Sequence, residues 1–113
     1  MSGSGGGGGG GGGFGGPDRG TRCAQLRFNT TVATPQPQAV AVLSIGERLD
    51  VVLRPGSGGV PPVVELRRND GTVVGGLLDR LTEVLRCLQD GFRFVAEVLL
   101  ISGGAVRVRV QPA

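Results

Sequence analysis

The sequence predicts a mainly β (α+β) domain, a small partly open β-barrel of five to six strands with one α-helix before the C-terminal hairpin. Three observations lead there. The apolar content is aliphatic, with sixteen valines, four phenylalanines and no Trp or Tyr, and valine's branched β-carbon suits a pleated, half-buried surface better than a helix. Short stretches alternate apolar and polar residues between Gly- and Pro-rich breaks, which is the period of strands. One stretch alone, 79–89, carries the helical period. A sheet this small buries one face, and closing it on itself removes its exposed edges.

Thirteen of the 23 glycines precede Thr21, so residues 1–20 are expected to form a disordered glycine-rich tail and residues 21–113 one small domain. The tail reads first as a tolerated low-complexity extension, and otherwise as a spacer that lets the domain reach a partner or as a carrier of Phe14 as a single hydrophobic anchor. The first strand is expected over 24–31, where Leu26, Phe28 and Thr30 alternate with Gln25, Arg27 and Asn29. Pro35 and Pro37 break it, because proline cannot donate to a ladder. Residues 39–45 are continuously apolar except for Ser44, and periodicity leaves them open between a strand or packed connector and a helical turn. Residues 48–53 resume alternation, with Leu49, Val51 and Leu53 on one side.

Residues 54–62 hold three glycines and three prolines and must form a surface loop. Strands over 63–68 and 72–77 flank Asn69, Asp70 and Gly71, residue types that tolerate the positive φ of tight turns. Val64 and Leu66 should point inward, Glu65 and Arg67 outward. Gly75 and Gly76 leave room for a close approach by the following helix or for a bulge at a barrel corner.

The helix is expected over 79–89, with Asp79 as its N-cap. Leu81, Val84, Leu85 and Leu88 recur at i, i+3, i+4 and i+7 and form the buried stripe. Arg80, Glu83 and Arg86 face out, with Glu83 and Arg86 spaced for an i, i+3 pair. Gly91 is placed for the left-handed residue that ends a helix. At three turns this helix is too short to stand alone in water, so the sheet must receive its leucines.

In the last hairpin, a three-residue loop at Ser102, Gly103 and Gly104 pairs Ile101 with Ala105, Leu100 with Val106, Val98 with Val108 and Ala96 with Val110. It also sets Glu97 opposite Arg109, an attractive pair. A two-residue loop would place Glu97 opposite Val110, and since a one-residue slip flips every side chain, the three-residue register is expected. Phe92 and Phe94 extend the inward row.

All twelve basic residues are Arg, against nine acids, a net charge of +3. Arg presents a rigid fork for phosphate, carboxylate and bases, although GC-rich coding produces the same bias. No run is apolar enough for a transmembrane helix, and no secretory signal opens the chain, so a cytoplasmic protein without a membrane partner is expected. Cys23 and Cys87 are then expected as two free thiols, with Cys87 a small buried hydrophobe on the helix. The chain has no His, no second cysteine pair for zinc, and no base near Ser44, Ser57 or Ser102. A non-enzyme without cofactor or metal is expected.

The order of elements resembles HIRAN domains, small β-barrels often joined to helicases. The residues that carry the likeness are Gly46-Glu47 leading into 48–53, the run Asp70-Gly71-Thr72-Val73-Val74-Gly75-Gly76-Leu77, the helix ending at Asp90-Gly91, and the aromatic-led strand 92–98. The likeness spans most of 26–110. The chain departs from it at Leu77, where an aromatic is usual, and at 56–62, where such domains carry an Asn-Pro-x-Asp loop. The resemblance implies a small barrel that binds DNA ends.

Two functions follow as expectations. One is a small interaction or adaptor module, accessory to a larger enzyme or complex, which binds a protein partner through an exposed sheet edge or the loop at Val60, Pro61 and Pro62. The other is a HIRAN-like accessory that binds single-stranded nucleic acid. The candidate binding residues for either are the outward arginines Arg27, Arg54, Arg67, Arg68, Arg93, Arg107 and Arg109. Bases stack on aromatic platforms, and Phe28, Phe92 and Phe94 all fall on rows expected to face the core.

Overall fold

A computed structural model describes residues 19–113. The glycine tail through Asp18, with Phe14, lies outside the described residues. The chain runs through α1 (Arg19–Gln25), β1 (Phe28–Thr31), α2 (Pro37–Val40), β2 (Arg48–Arg54), β3 (Val63–Arg67), β4 (Val73–Leu77), α3 (Leu81–Gln89), β5 (Phe94–Ser102) and β6 (Ala105–Pro112). The six strands form one antiparallel sheet in the order β1-β6-β5-β2-β3-β4. It curls into a partly open barrel, because just past β1 the residue Ala33 bridges to Gly76 on β4, the opposite edge. No helix among the described residues is long and apolar enough to cross a membrane.

The core follows from strand parity. Leu49, Leu66, Ala96, Val106, Val108 and Val110 are fully buried, each on the inner row of its strand. Helix α3 closes one end of the barrel with Val84 and Cys87 buried and Leu81, Leu85 and Leu88 packed against the core. It ends as its sequence requires, with the Phe92 N–H donating to the Cys87 carbonyl and the Gly91 N–H to that of Leu88. Gly91 takes φ 95°, a Schellman motif. Its start differs from expectation. The N-cap is Arg80 in the left-handed conformation, no side chain caps the helix, and Arg80 rather than Arg86 pairs with Glu83 at 3.7 Å.

The entry to the domain differs more. In place of a strand over 24–31, α1 occupies Arg19–Gln25 and only Phe28–Thr31 extend. The segment is also tied covalently: Cys23 and Cys87 form a disulfide, with Cα atoms 5.6 Å apart, so the two cysteines expected as free thiols instead link α1 to α3. Leu26 and Thr30 still face inward and are buried. The apolar run 39–45 begins in the short helix α2, led by Pro37, which buries Ala39, and continues in turns that bury Leu43.

The last hairpin combines both registers. Its tip is a two-residue turn at Gly103 and Gly104, with Ser102 opposite Ala105 and Ile101 opposite Val106. A bulge between Val98 and Leu100 then absorbs one residue, and the expected pairs Val98 with Val108, Glu97 with Arg109 and Ala96 with Val110 follow. The slip is thereby confined to the tip, where Ile101 rather than Leu100 packs beside the buried Val106 and Leu100 is left 51 % exposed. A second bulge at Leu66 and Arg67 shifts β3 against β4. The close approach at Gly75 comes from Val32 and Ala33 rather than from α3.

Candidate interaction surface

The structure divides the seven candidate arginines into groups. Arg54 and Arg67 converge on Glu65, whose side chain is only 13 % exposed, with Arg54 Nε at 3.2 Å and Arg67 Nη2 at 2.6 Å. Arg68, beyond the end of β3, donates from Nε to Glu47 Oε2 at 2.7 Å. That hydrogen bond holds the Glu47 carboxyl below its ordinary range, against partial desolvation and with help from the Ser44 N–H. The same contact raises Arg68 further. The Asp70 carboxyl is lowered chiefly by the Thr72 N–H, which donates to its Oδ1 at 2.9 Å. These arginines complete the barrel's own ion pairs.

Arg93 stands apart in the connection from α3 to β5, beside a shallow groove with Asp50, Val52 and Leu88. Its carbonyl accepts the Ala113 N–H at 2.9 Å.

Arg27, Arg107 and Arg109 are brought together. On the outer face of β1 and β6, Asn29 lies opposite Arg109 and Thr31 opposite Arg107, and Arg27 reaches Gln111 Oε1 at 3.1 Å. Arg107 Nη1 donates to Thr31 Oγ1 at 3.0 Å. None of the ion pairs among the described residues involves these three. Glu97, one strand further, faces Arg109 in register on β5 and Arg48 on β2 without closing on either. Arg27, Phe28, Asn29, Arg109 and Gln111 line an open groove of ≈ 430 Å³.

Beside this group lies a feature that strand periodicity does not reveal. The Val32 N–H bonds the Val106 carbonyl on β6, whereas the Ala33 N–H and carbonyl bond Gly76 on β4. Backbone groups alternate sides along a strand, so Phe28 and Thr30 bond β6 while Asn29 and Thr31 turn their N–H and carbonyl groups away from it. At Ala33 that outer edge meets β4; along β1 itself it meets no strand among the described residues. The barrel therefore has an open seam. Asn29 and Thr31 are exposed on it, and Phe28 is half-buried under Arg80, whose guanidinium lies 5.3 Å from the ring centre.

Thr34 (φ 48°) and Arg80 (φ 53°) are the non-glycine residues with positive φ among those described. One follows the Ala33 bridge and the other rests on Phe28, so both border the seam. A left-handed conformation costs about 1–2 kcal/mol per non-glycine residue. A shallow, mostly apolar depression of ≈ 240 Å³ at Thr34, Gly76, Leu78 and Leu81 continues the seam along β4.

Elsewhere the loop at Val60, Pro61 and Pro62 is drawn into a tight turn by the Ser57–Val60 bridge, which leaves Val60 63 % exposed. The chain matches no protein-family model, no curated protein and no solved structure.

Proposed function

We propose that this domain is a non-enzymatic adaptor module, accessory to a larger assembly, that holds an extended segment of a protein partner against the open edge of β1. The observation that carries this reading is the seam, where Asn29 and Thr31 present backbone donors and acceptors in ladder geometry. An added strand would satisfy them with main-chain hydrogen bonds and read the partner through alternate side chains. The left-handed residues at both borders support the reading, since strained backbone gathers at binding sites. The Cys23–Cys87 disulfide favours an oxidising compartment over the cytoplasmic one expected from the sequence.

Asn29→Pro tests it. Proline at that position deletes an N–H that faces away from β6 and leaves the bonds of Phe28 and Thr30 in place, a position at which edge strands accept proline. Peptides selected from a random library on the full chain should lose binding to Asn29→Pro while its unfolding midpoint stays close to that of the parent. Peptides that bind both proteins equally, or a selection that yields none, would sink the reading.

A second reading, binding of single-stranded nucleic acid in HIRAN-like fashion, is favoured by the groove at Arg27, Phe28 and Arg109, which sets an aromatic among basic side chains. Short oligothymidylate should then bind the full chain most tightly at low ionic strength, where counterion release helps most. No shift under those conditions removes that reading.

A further inference from the structure

We infer that the segment captured by the β1 edge is acidic, with carboxylates at alternate positions facing the outer side of the barrel. This rests on the strand-addition reading above and names the partner's chemistry. Side chains of an added strand alternate between the two faces of the sheet. Those on the outer face stand beside Arg27, Asn29 and Thr31, with Arg107 and Arg109 one strand beyond. Arg107 and Arg109 then stand two strand spacings from the added strand, about 10 Å, a span that a partner carboxylate and an arginine close by leaning toward each other over Asn29 and Thr31.

No ion pair among the described residues closes on these arginines, and the one carboxylate in register with them, Glu97 opposite Arg109, is shared with Arg48 on its other side. Arg54 and Arg67 share Glu65, and Arg68 has Glu47. Arg27 and Arg107 are instead steadied by neutral oxygens, Gln111 Oε1 and Thr31 Oγ1. Such contacts orient a guanidinium without neutralising it and leave its remaining N–H groups for a carboxylate. The other row of the added strand would face the half-buried Phe28, which suits an apolar side chain. The partner pattern is therefore acidic and apolar in alternation.

The test uses the full chain and fluorescently labelled, end-blocked peptides of repeated Glu-Val, Gln-Val and Lys-Val, with oligothymidylate as a fourth probe. The Glu-Val peptide should bind about tenfold or more tighter than the Gln-Val peptide and weaken as salt screens it. The double variant Arg107→Gln, Arg109→Gln should remove most of that advantage, and Asn29→Pro should abolish binding. Equal binding of the Gln-Val or Lys-Val peptide, still lost in Asn29→Pro, overturns the acidic partner but leaves strand addition standing. Glu-Val binding that survives Asn29→Pro overturns strand addition and with it this inference. Oligothymidylate binding without peptide binding assigns the arginines to nucleic acid, and the absence of any binding overturns the proposal.

Discussion

Replacing Cys23 and Cys87 together by alanine cuts the covalent tie between α1 and α3. The two residues are separated by 64 positions in the sequence, and closing a loop of that length removes about 14 cal/mol/K of entropy from the unfolded chain, or about 4 kcal/mol at 25 °C. A small domain has about 5–15 kcal/mol of stability in all, so the tie supplies a large share of it. The loss should lower the melting temperature by roughly 15–30 °C. Urea unfolding of the full chain, followed by far-UV circular dichroism, measures it, with the parent under a phosphine reductant as a second arm. The slope against urea should also rise, because the unlinked chain exposes more surface when it unfolds. A loss below about 1 kcal/mol with an unchanged slope would refute the assignment of the disulfide as a main support. Hydrogen exchange gives a local check: α1 spans seven residues, too few to persist alone, so its amides should lose protection before those of the sheet.

Two other perturbations probe the seam and the charged turn. Gly75→Ala would drive a Cβ into Val32 Cγ1 and to 2.7 Å from the Ala33 carbonyl oxygen, the acceptor for Gly76, so it should cost about 1–3 kcal/mol and speed exchange at Ala33 and Gly76; protection equal to the parent's would count against the bridge as the latch of the barrel. Glu47 titrates below its ordinary value in the folded state because Arg68 holds its carboxylate, so its contribution is complete above the unfolded value of about 4.3 and is lost as pH falls through the folded one. Glu47→Gln should therefore flatten the acid limb of stability against pH while costing about 1 kcal/mol or less at neutral pH, and superimposable acid limbs would exclude the role given to Arg68.

What could be read from the sequence was local and periodic. The α3 stripe, its Gly91 terminus and the pairing of Val98 with Val108 all follow from side chains that repeat at the spacing of their element. Features set by distant parts of the chain were hidden. Residues 19–25 show no apolar period, yet they form a helix whose Cys23 is bonded to Cys87, 64 positions away. The two-glycine tip looked incompatible with the core register because the bulge between Val98 and Leu100 leaves no mark in the alternation. Parity turned the candidate arginines outward correctly on the strands. Which of them keep their charge depends on Glu65 and Glu47, reached by packing rather than by spacing. The seam was the least legible feature, since it exists only because β1 and β4 are the two edges of the sheet; Gly75 and Gly76 were its one local sign, a place where two backbones approach.

The tie between α1 and α3 also decides how the domain bears load. The start of β1 lies beside the end of β6, with Phe28 opposite Val110, so tension applied through the two ends of the chain peels hydrogen bonds apart one by one, the weakest way to pull a sheet. With the disulfide closed, that tension passes directly from Cys23 to Cys87 and bypasses the 64-residue separation between them. Roughly 220 Å of slack is thereby withheld from any stretched linkage in which the domain is a link. Reduction releases that length.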